Sequence, residues 1–211
     1  MDWRPRLGTR ERRLREKDSR RREILETARR LFWEKGFIAT TMPDIARAVE
    51  LAPGTLYLYF PSKDALYIEL LLECYADFLA RLRAAAAKSS EPRRQAEMLV
   101  DTFMSFARDC PQCFDVIFFV MQRDIGGPHQ ARVDKEQIKR LDAMESACKD
   151  AAASVLARAV GRRSPEKMRL TVEAVWSMLA GVVFFWRKDP GREFAAVASE
   201  AKRIILNALF P

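Results

Sequence analysis

Apolar side chains recur at intervals of three and four residues along most of the chain, the spacing that places them on one face of an α-helix. The clearest series consists of Leu66, Leu70, Cys74, Phe78 and Leu82. It predicts a helix from about residue 63 to 87. No stretch alternates apolar and polar residues as a half-buried strand would. The pattern therefore predicts an all-α fold.

Clusters of Gly and Pro divide the rest of the chain into further helical segments. The predicted bounds are about 19–35, 92–109, 111–123, 131–160, 165–187 and 191–209. Gly36 is positioned to end the first of these, because glycine tolerates the left-handed backbone that often follows a helix. Together with two short helices between residues 41 and 59, this gives about nine helices.

The two short helices flank a tight turn. Thr41 is expected to cap the first, with Asp44 three residues on to complete a capping box. Pro53 opens the second, where its missing N–H has no helical partner to lose. That helix ends near Tyr59 and is too short to be stable alone. Two short helices joined by a short turn in a basic chain indicate a helix-turn-helix, whose second helix enters a DNA major groove.

The segment from Ile24 to Leu72 resembles the DNA-binding domain of the TetR (tetracycline-repressor-like) family of bacterial transcription regulators. The resemblance rests on Ile24–Leu25, Ala28, Leu31–Phe32, Gly36–Phe37, Thr40–Thr41, Asp44–Ala46, Gly54–Tyr57, Tyr59–Phe60 and Ser62–Leu66. Two positions depart from the family pattern: Glu50 stands where the family usually has Gly, and Ala52 where it has Ser. These changes affect the turn and the start of the second helix.

The resemblance implies three parts: a basic arm (1–18), a three-helix helix-turn-helix domain (19–64) and a larger helical domain (65–211) for ligand binding and dimerisation. It also implies a homodimeric, sequence-specific regulator, expected to be a repressor released from a palindromic DNA operator by a small apolar ligand. Phosphate contacts are expected from Thr41, Tyr57, Tyr59 and Lys63. Base-edge contacts are expected from Gly54, Thr55 and Leu58.

Charge is concentrated at the start of the chain. The net charge is +8, and residues 1–22 hold ten Lys and Arg against four Asp and Glu. This segment is either a solvated tail or an arm that reaches DNA. The longest apolar run, 176–186, is shorter than a membrane span, and no signal-peptide segment is evident. A cytoplasmic protein without a membrane partner is expected.

The C-terminal domain carries two sets of candidate residues. Large apolar side chains that suit an adaptable pocket are Phe103, Phe106, Phe118, Met121, Trp176 and Met178. Ordinary core packing explains them equally well. The last two helices of the resembled family pair with their twins in a dimer. The residues expected in that interface are Trp176, Leu179, Phe184, Val197, Ala201 and Ile205.

Cys110 and Cys113 form a C-x-x-C pair, which can be a redox couple or half of a zinc site. A redox- or metal-sensing regulator is therefore the alternative function. Zinc would need further ligands, and the candidates Cys74, Cys148 and His129 are distant in sequence. A structural or incidental role for the pair, with reduced thiols, is the favoured interpretation. No phosphate loop, nucleophile elbow or carboxylate pair indicates an enzyme, so neither catalytic residues nor a cofactor or metal is expected.

Overall fold

The structure, a computed structural model, describes residues 9–115, 117–118, 134–159, 164–186 and 192–210. Within these ranges the chain forms nine α-helices and no strand, which confirms the all-α prediction. The helices are α1 (Thr9–Lys35), α2 (Met42–Ala48), α3 (Pro53–Tyr59), α4 (Lys63–Ala87), α5 (Pro92–Asp109), α6 (Pro111–Asp115), α7 (Lys135–Ala159), α8 (Pro165–Trp186) and α9 (Arg192–Leu209).

Helix α1 begins ten residues earlier than the predicted start near Ser19. The added turns are rich in Arg, Glu and Lys, which are good helix formers. Ion pairs one helical turn apart support them, as between Arg12 and Glu16 at 2.9 Å. The part of the predicted basic arm that the structure describes, residues 9–18, is therefore helix. The apolar spacing missed it because these turns bury no side chain.

Contacts divide the chain into two compact units. The first unit contains the described residues up to Leu70 together with 134–137. Its core is built from the inward faces of α1 and α2 and the start of α4, with Ile24, Ile45 and Leu66 fully buried. Phe32, Phe37 and Tyr67 pack ring against ring, with centroids 4.6–5.6 Å apart. This core holds the two short helices in place, since neither is long enough to be stable by itself.

The turn between α2 and α3 contains Glu50 with φ +53°, the only non-glycine residue in the described ranges with positive φ. A side chain in this left-handed region is crowded by its own backbone. Ala52 precedes α3 and makes no side-chain capping bond. Both departures from the family pattern therefore leave the turn less stable than Gly and Ser would.

The second unit contains the described residues from Leu71 to 118 and from Ile138 onward. Helix α5 packs on α6, α8 and α9, and α8 packs on α9. Six aromatic side chains, called here the aromatic cluster, meet in this unit. They are Phe78, Phe103, Phe106, Phe114, Phe118 and Trp176.

Some predicted helices extend beyond the described residues. Of the segment predicted at 111–123, α6 ends at Asp115, and residues 116 and 119–123 lie outside the described ranges. The segment predicted from residue 131 begins at Lys135. Helix α8 is long and apolar enough to cross a membrane by length and composition alone: its best window has a mean hydropathy of 1.5 and is 22% buried. The sequence argument counted only the unbroken run 176–186 and so understated this helix.

Candidate nucleic-acid interface and regulatory sites

Helix α2 starts with the predicted capping box. Thr41 accepts a hydrogen bond from the Asp44 N–H at 3.2 Å, and the Thr41 N–H donates to the Asp44 carboxylate at 3.1 Å. The Thr41 hydroxyl also donates to that carboxylate at 2.6 Å. These bonds stabilise the ionised form, so the pKa of Asp44 lies below its ordinary value. Thr41 is exposed, and its backbone is fixed at the point where α2 begins.

Helix α3 presents a short outer face to solvent. Leu58 is 81% exposed, Tyr57 is 48% exposed, and Gly54 is exposed without a side chain. Leu56 is fully buried and anchors the opposite face. Residues two positions apart are separated by about 200° around a helix. Tyr57 and Tyr59 therefore flank α3 on opposite sides, with Leu58 between them.

The groove on the Tyr57 side brings three predicted phosphate contacts together. It encloses about 860 Å³ and is lined by Thr41, Tyr57 and Lys63 among others. Phe37 and Ile38 form its apolar wall. Two hydroxyls and one ammonium therefore converge beside the exposed face of α3, although they come from three different elements. Asp64 also lines the groove, and hydroxyl and ammonium groups are donors that can bind a phosphate.

The groove on the Tyr59 side is bordered by the early turns of α1. It encloses about 590 Å³ and is lined by Tyr59 with Arg13, Lys17 and Arg20. These three cations lie four and three residues apart, so they share one face of α1. Glu16 and Glu23 also line the groove and partly balance its charge. The helical form of residues 9–18 is what brings the basic segment to the side of α3.

Lys63 has a structural role that the sequence did not reveal. Its ammonium donates to the carbonyl oxygens of Phe37 at 2.7 Å and Thr40 at 2.9 Å, with the Ile38 carbonyl at 3.5 Å. It also lies 4.3 Å from the centre of the Phe37 ring. Burial lowers the pKa of Lys63, and the charge of Asp64 acts in the opposite direction. Lys63 thus ties the start of α4 to the loop that precedes α2.

Arg21 holds the far end of α3, and sequence reasoning counted it only among the solvated basic residues. Its guanidinium donates to the Tyr59 carbonyl at 3.1 Å and pairs with Glu69 at 3.2 Å. It also stacks over the Phe60 ring at 4.2 Å. These contacts link α1, the end of α3 and α4 within one unit. The sequence does not show which of Arg20, Arg21 and Arg22 makes these contacts, because that depends on the tertiary fold.

Arg47 is a second residue that the sequence analysis missed. It lies on α2, its side chain is 82% exposed, and its guanidinium is 3.7 Å from the Asp44 carboxylate. Such an exposed pair contributes little to stability. The first helix of a helix-turn-helix crosses the DNA backbone, so the sequence alone would have allowed Arg47 to be named as a candidate contact to DNA phosphates.

The predicted pocket residues have different fates. Phe103, Phe106, Phe118 and Trp176 all belong to the aromatic cluster, in which ring centroids are 4.4–6.3 Å apart. Met178 is exposed and does not belong to it. Met121 lies outside the described residues. The helical spacing of apolar residues therefore predicted correctly that these four side chains pack together. It did not predict that the Met178 side chain is exposed.

The predicted dimer residues divide between core and surface. Leu179 and Ile205 are buried within the chain, and Trp176 packs in the aromatic cluster. Phe184 is exposed, whereas Val197 and Ala201 are half-buried. Helical spacing alone cannot tell the side of α8 and α9 that faces the chain's own core from the side that faces outward. Three of the six side chains therefore pack against residues of their own chain.

Two of the four cysteines form a disulfide, whereas the sequence analysis predicted reduced thiols. Cys74 on α4 and Cys113 in α6 form a disulfide with Cα atoms 5.4 Å apart, so the expectation of reduced thiols alone is wrong for this pair. The sequence hid it, because 39 residues separate the two positions. Cys110 and Cys148 are free, and Cys148 is buried. In the described ranges no group of three metal-ligating side chains is found, and His129 lies outside them.

Comparison with known proteins starts from the N-terminal segment. Residues 24–70 match the family described as bacterial regulatory proteins, tetR family. The HTH-type transcriptional repressor KstR2 of Rhodococcus jostii is 38% identical over 86 residues, which are 41% of this chain and 42% of that protein. An uncharacterised HTH-type transcriptional regulator, YuxN of Bacillus subtilis, is 37% identical over 70 residues, 33% of this chain and 24% of that protein. The chain thus covers less than half of either relative.

The fold likeness extends much further along the chain. The TetR family transcriptional regulator PfmR from Thermus thermophilus superimposes with a TM-score of 0.66 at 23% identity, covering 87% of this chain and 97% of that one. At this identity the likeness concerns the fold. Residues 24–70 therefore match the tetR family of bacterial regulatory proteins, and the helical fold of the chain is similar to that of a solved TetR family regulator.

Proposed function

We propose that the protein is a sequence-specific DNA-binding regulator of transcription, and that it acts as a repressor. The observation that carries the proposal is the outer face of α3, where Gly54, Tyr57 and Leu58 are exposed and no described residue covers them. A helix of this size fits the major groove. The family match of residues 24–70 and the name of the KstR2 relative support the same function.

The two grooves beside α3 suggest how the duplex is held. Thr41, Tyr57 and Lys63 in one groove donate to phosphates on one side of the major groove, and Tyr59 in the other donates to the opposite strand. Arg13, Lys17 and Arg20 add positive charge beside Tyr59. The early turns of α1 thus serve as the DNA-contacting arm. Gly54, Thr55 and Leu58 face base edges, and Leu58 suits a thymine methyl group.

Selection from random duplexes tests this proposal. The full-length protein is expected to enrich one palindromic sequence, and Leu58→Ala is expected to relax the preference at one base pair per half-site by about 1 kcal/mol. Leu14→Ala is the control, because Leu14 is another exposed leucine and lies on α1 rather than on α3. Failure of the wild-type protein to enrich any sequence, with non-specific binding intact, would contradict the proposal.

We propose that the protein binds DNA as a homodimer. In the second unit, every large apolar side chain that is exposed in the described residues lies on α8 or α9. These are Leu170, Met178, Phe184, Phe185 and Ile204. Exposed large apolar side chains that are concentrated on two packed helices favour an interaction site there. Its occupant is a second copy, because one seven-residue reading helix recognises too few base pairs, whereas two helices about one turn of DNA apart recognise a palindrome.

A second copy of the chain on this surface also explains why α8 is so apolar in a cytoplasmic protein. The apolar side chains of α8 are then covered by protein and not by lipid. Flotation with phosphatidylcholine vesicles separates the two cases. The protein is expected to stay at the bottom of the gradient. Recovery with the vesicles would show that α8 binds lipid.

The effector is expected to be a small apolar molecule that binds at the aromatic cluster. Phe103, Phe118 and Trp176 are close-packed against one another, which suits an apolar ligand that separates the rings. Release from DNA follows if the ligand prefers the conformation that binds DNA weakly, and the two affinities then change by the same factor.

A further inference from the structure

Cys74 and Cys113 lie beside the aromatic cluster in the second unit. Cys74 is buried on α4, one helical turn before Phe78 of the cluster. Cys113 is half-buried in α6 and directly precedes Phe114, which is fully buried. Phe114 stacks on Phe118 at 4.4 Å between ring centroids. The disulfide therefore joins two helices that each supply one ring of the cluster, Phe78 from α4 and Phe114 from α6.

A third cysteine lies near this pair. Cys110 precedes Pro111, and its carbonyl accepts the N–H of Phe114 at 2.9 Å, so Cys110 is the residue that caps α6. Cys113 occupies the third helical position, whose side chain lies close to that of the cap. The Arg81 guanidinium donates to the Cys110 sulfur at 3.5 Å. Cys110 is thus the natural competitor of Cys74 for Cys113.

We propose that Cys74 and Cys113 are a reversible oxidant-sensing pair that reacts with hydroperoxides and, by closing the disulfide, changes the affinity of the aromatic cluster for an apolar ligand. This inference rests on the proposed function, because a cytoplasmic regulator normally keeps its thiols reduced. In that compartment the bond forms only under oxidative conditions, and thiol reductants reopen it.

The chemistry balances with one hydroperoxide per disulfide. The thiolate of Cys113, the more accessible of the two, attacks a peroxide oxygen; an S–O bond forms, the O–O bond breaks, and the leaving hydroxide takes a proton to become water. The thiol of Cys74 then attacks the sulfenic sulfur. The S–S bond forms, the S–O bond breaks, and a second water leaves with the Cys74 proton. Two thiols supply two electrons, and hydrogen peroxide is reduced to two waters.

Closing the bond constrains a very short helix. Helix α6 has five residues, and Phe114 is its buried side chain. When the pair is reduced, only non-covalent interactions hold α6 against the cluster, among them the packing of Phe114 on Phe103 and Phe118. When the pair is oxidised, a covalent link to α4 removes conformations in which α6 moves away. A ligand that must separate these rings then meets a stiffer site, so its affinity differs between the two states.

Thiol counting with peptide mapping tests the pairing in the full-length protein. Fully reduced wild type has four thiols, and one equivalent of hydrogen peroxide is expected to leave two and to yield a cross-linked peptide containing Cys74 and Cys113. The double variant Cys110→Ala/Cys148→Ala is expected to lose both of its thiols at the wild-type rate. A wild-type cross-link between Cys110 and Cys113, or retention of both thiols in that variant, overturns the pairing.

A ligand titration tests the coupling. The probe is 1-anilinonaphthalene-8-sulfonate, read by quenching of Trp176 in a background where Trp3, Trp33 and Trp186 are Phe. Oxidised and reduced forms are expected to differ in Kd by about fivefold or more, the lower range of typical coupling. Cys74→Ala/Cys110→Ala, which leaves Cys113 without a cysteine partner at either position, is treated identically and is expected to show no change. Equal Kd values in the two forms overturn the coupling. Binding of reduced protein to the selected duplex is measured in parallel, and its loss would count against the proposed function instead.

Discussion

The ammonium of Lys63 donates a hydrogen bond to the carbonyl oxygen of Phe37 at 2.7 Å and lies 4.3 Å from the centre of the Phe37 ring. Lys63, which is expected to contact DNA, therefore also links α4 to the loop before α2. The loop carries Thr41 at its end, so this contact helps to set where a phosphate would meet the Thr41 hydroxyl. The ammonium has three donors, and the carbonyl oxygens of Phe37, Thr40 and Ile38 accept them, the last at 3.5 Å. A phosphate contact is therefore expected to replace the longest of these three bonds.

Lys63→Met is expected to have two separable effects. Loss of the charge-assisted bonds to Phe37 and Thr40 lowers the free energy of unfolding by about 2 kcal/mol. Loss of one phosphate contact reduces the slope of log K against log salt by about 0.9. Denaturant unfolding measures the change in stability, and DNA binding at several salt concentrations measures the change in slope. An unchanged slope with reduced stability would mean that Lys63 only fastens the loop.

Glu50→Gly is expected to stabilise the protein by about 0.5–1 kcal/mol, because Glu50 has φ +53° and the relief of left-handed strain exceeds the added chain entropy of glycine. Urea unfolding measures the change. Glu50→Ala is the matched control, since it removes the carboxylate but keeps the Cβ atom that causes the crowding. If both variants gain equally, the carboxylate and not the backbone is the source of the effect.

Ile204→Glu is expected to make the protein monomeric, because Ile204 lies on the exposed apolar face of α9 and two carboxylates near a two-fold axis cost several kcal/mol when desolvated. Sedimentation velocity gives the oligomeric state. Leu14→Glu places the same charge at an exposed apolar position of α1 and is expected to leave the dimer intact. A dimeric Ile204→Glu protein would show that the copies meet elsewhere.

Cys148 is expected to resist alkylation in the native protein. Burial raises the pKa of the Cys148 thiol to about 12, so at pH 8 only about one molecule in ten thousand carries the reactive thiolate. Its sulfur also lies 3.8 Å from the Tyr75 carbonyl inside the unit. Iodoacetamide at pH 8, followed by mass spectrometry, should label Cys110 and leave Cys148 unmodified until the chain is unfolded. Rapid native labelling of Cys148 would mean that α4 and α7 separate readily.

Local signals in the sequence determined the bounds of the two short helices of the helix-turn-helix. The capping box of Thr41 and Asp44, and Pro53 at the start of α3, produced helices with the expected bounds. Caps, helix starts and glycine at Gly36 depend on backbone groups within a few residues, which is why the sequence alone specifies them. The same locality made the family pattern recognisable.

Tertiary structure decided which side chains meet. Arg21 rather than Arg20 reaches the Tyr59 carbonyl, and Cys74 rather than Cys110 bonds to Cys113. Leu179 faces the chain's own core and Phe184 faces outward, although both lie on the apolar helix α8. These choices depend on how elements far apart in sequence pack together. Helical periodicity reports only which residues share a face, whereas the partner of that face is set by the balance of burial and chain entropy across the whole unit.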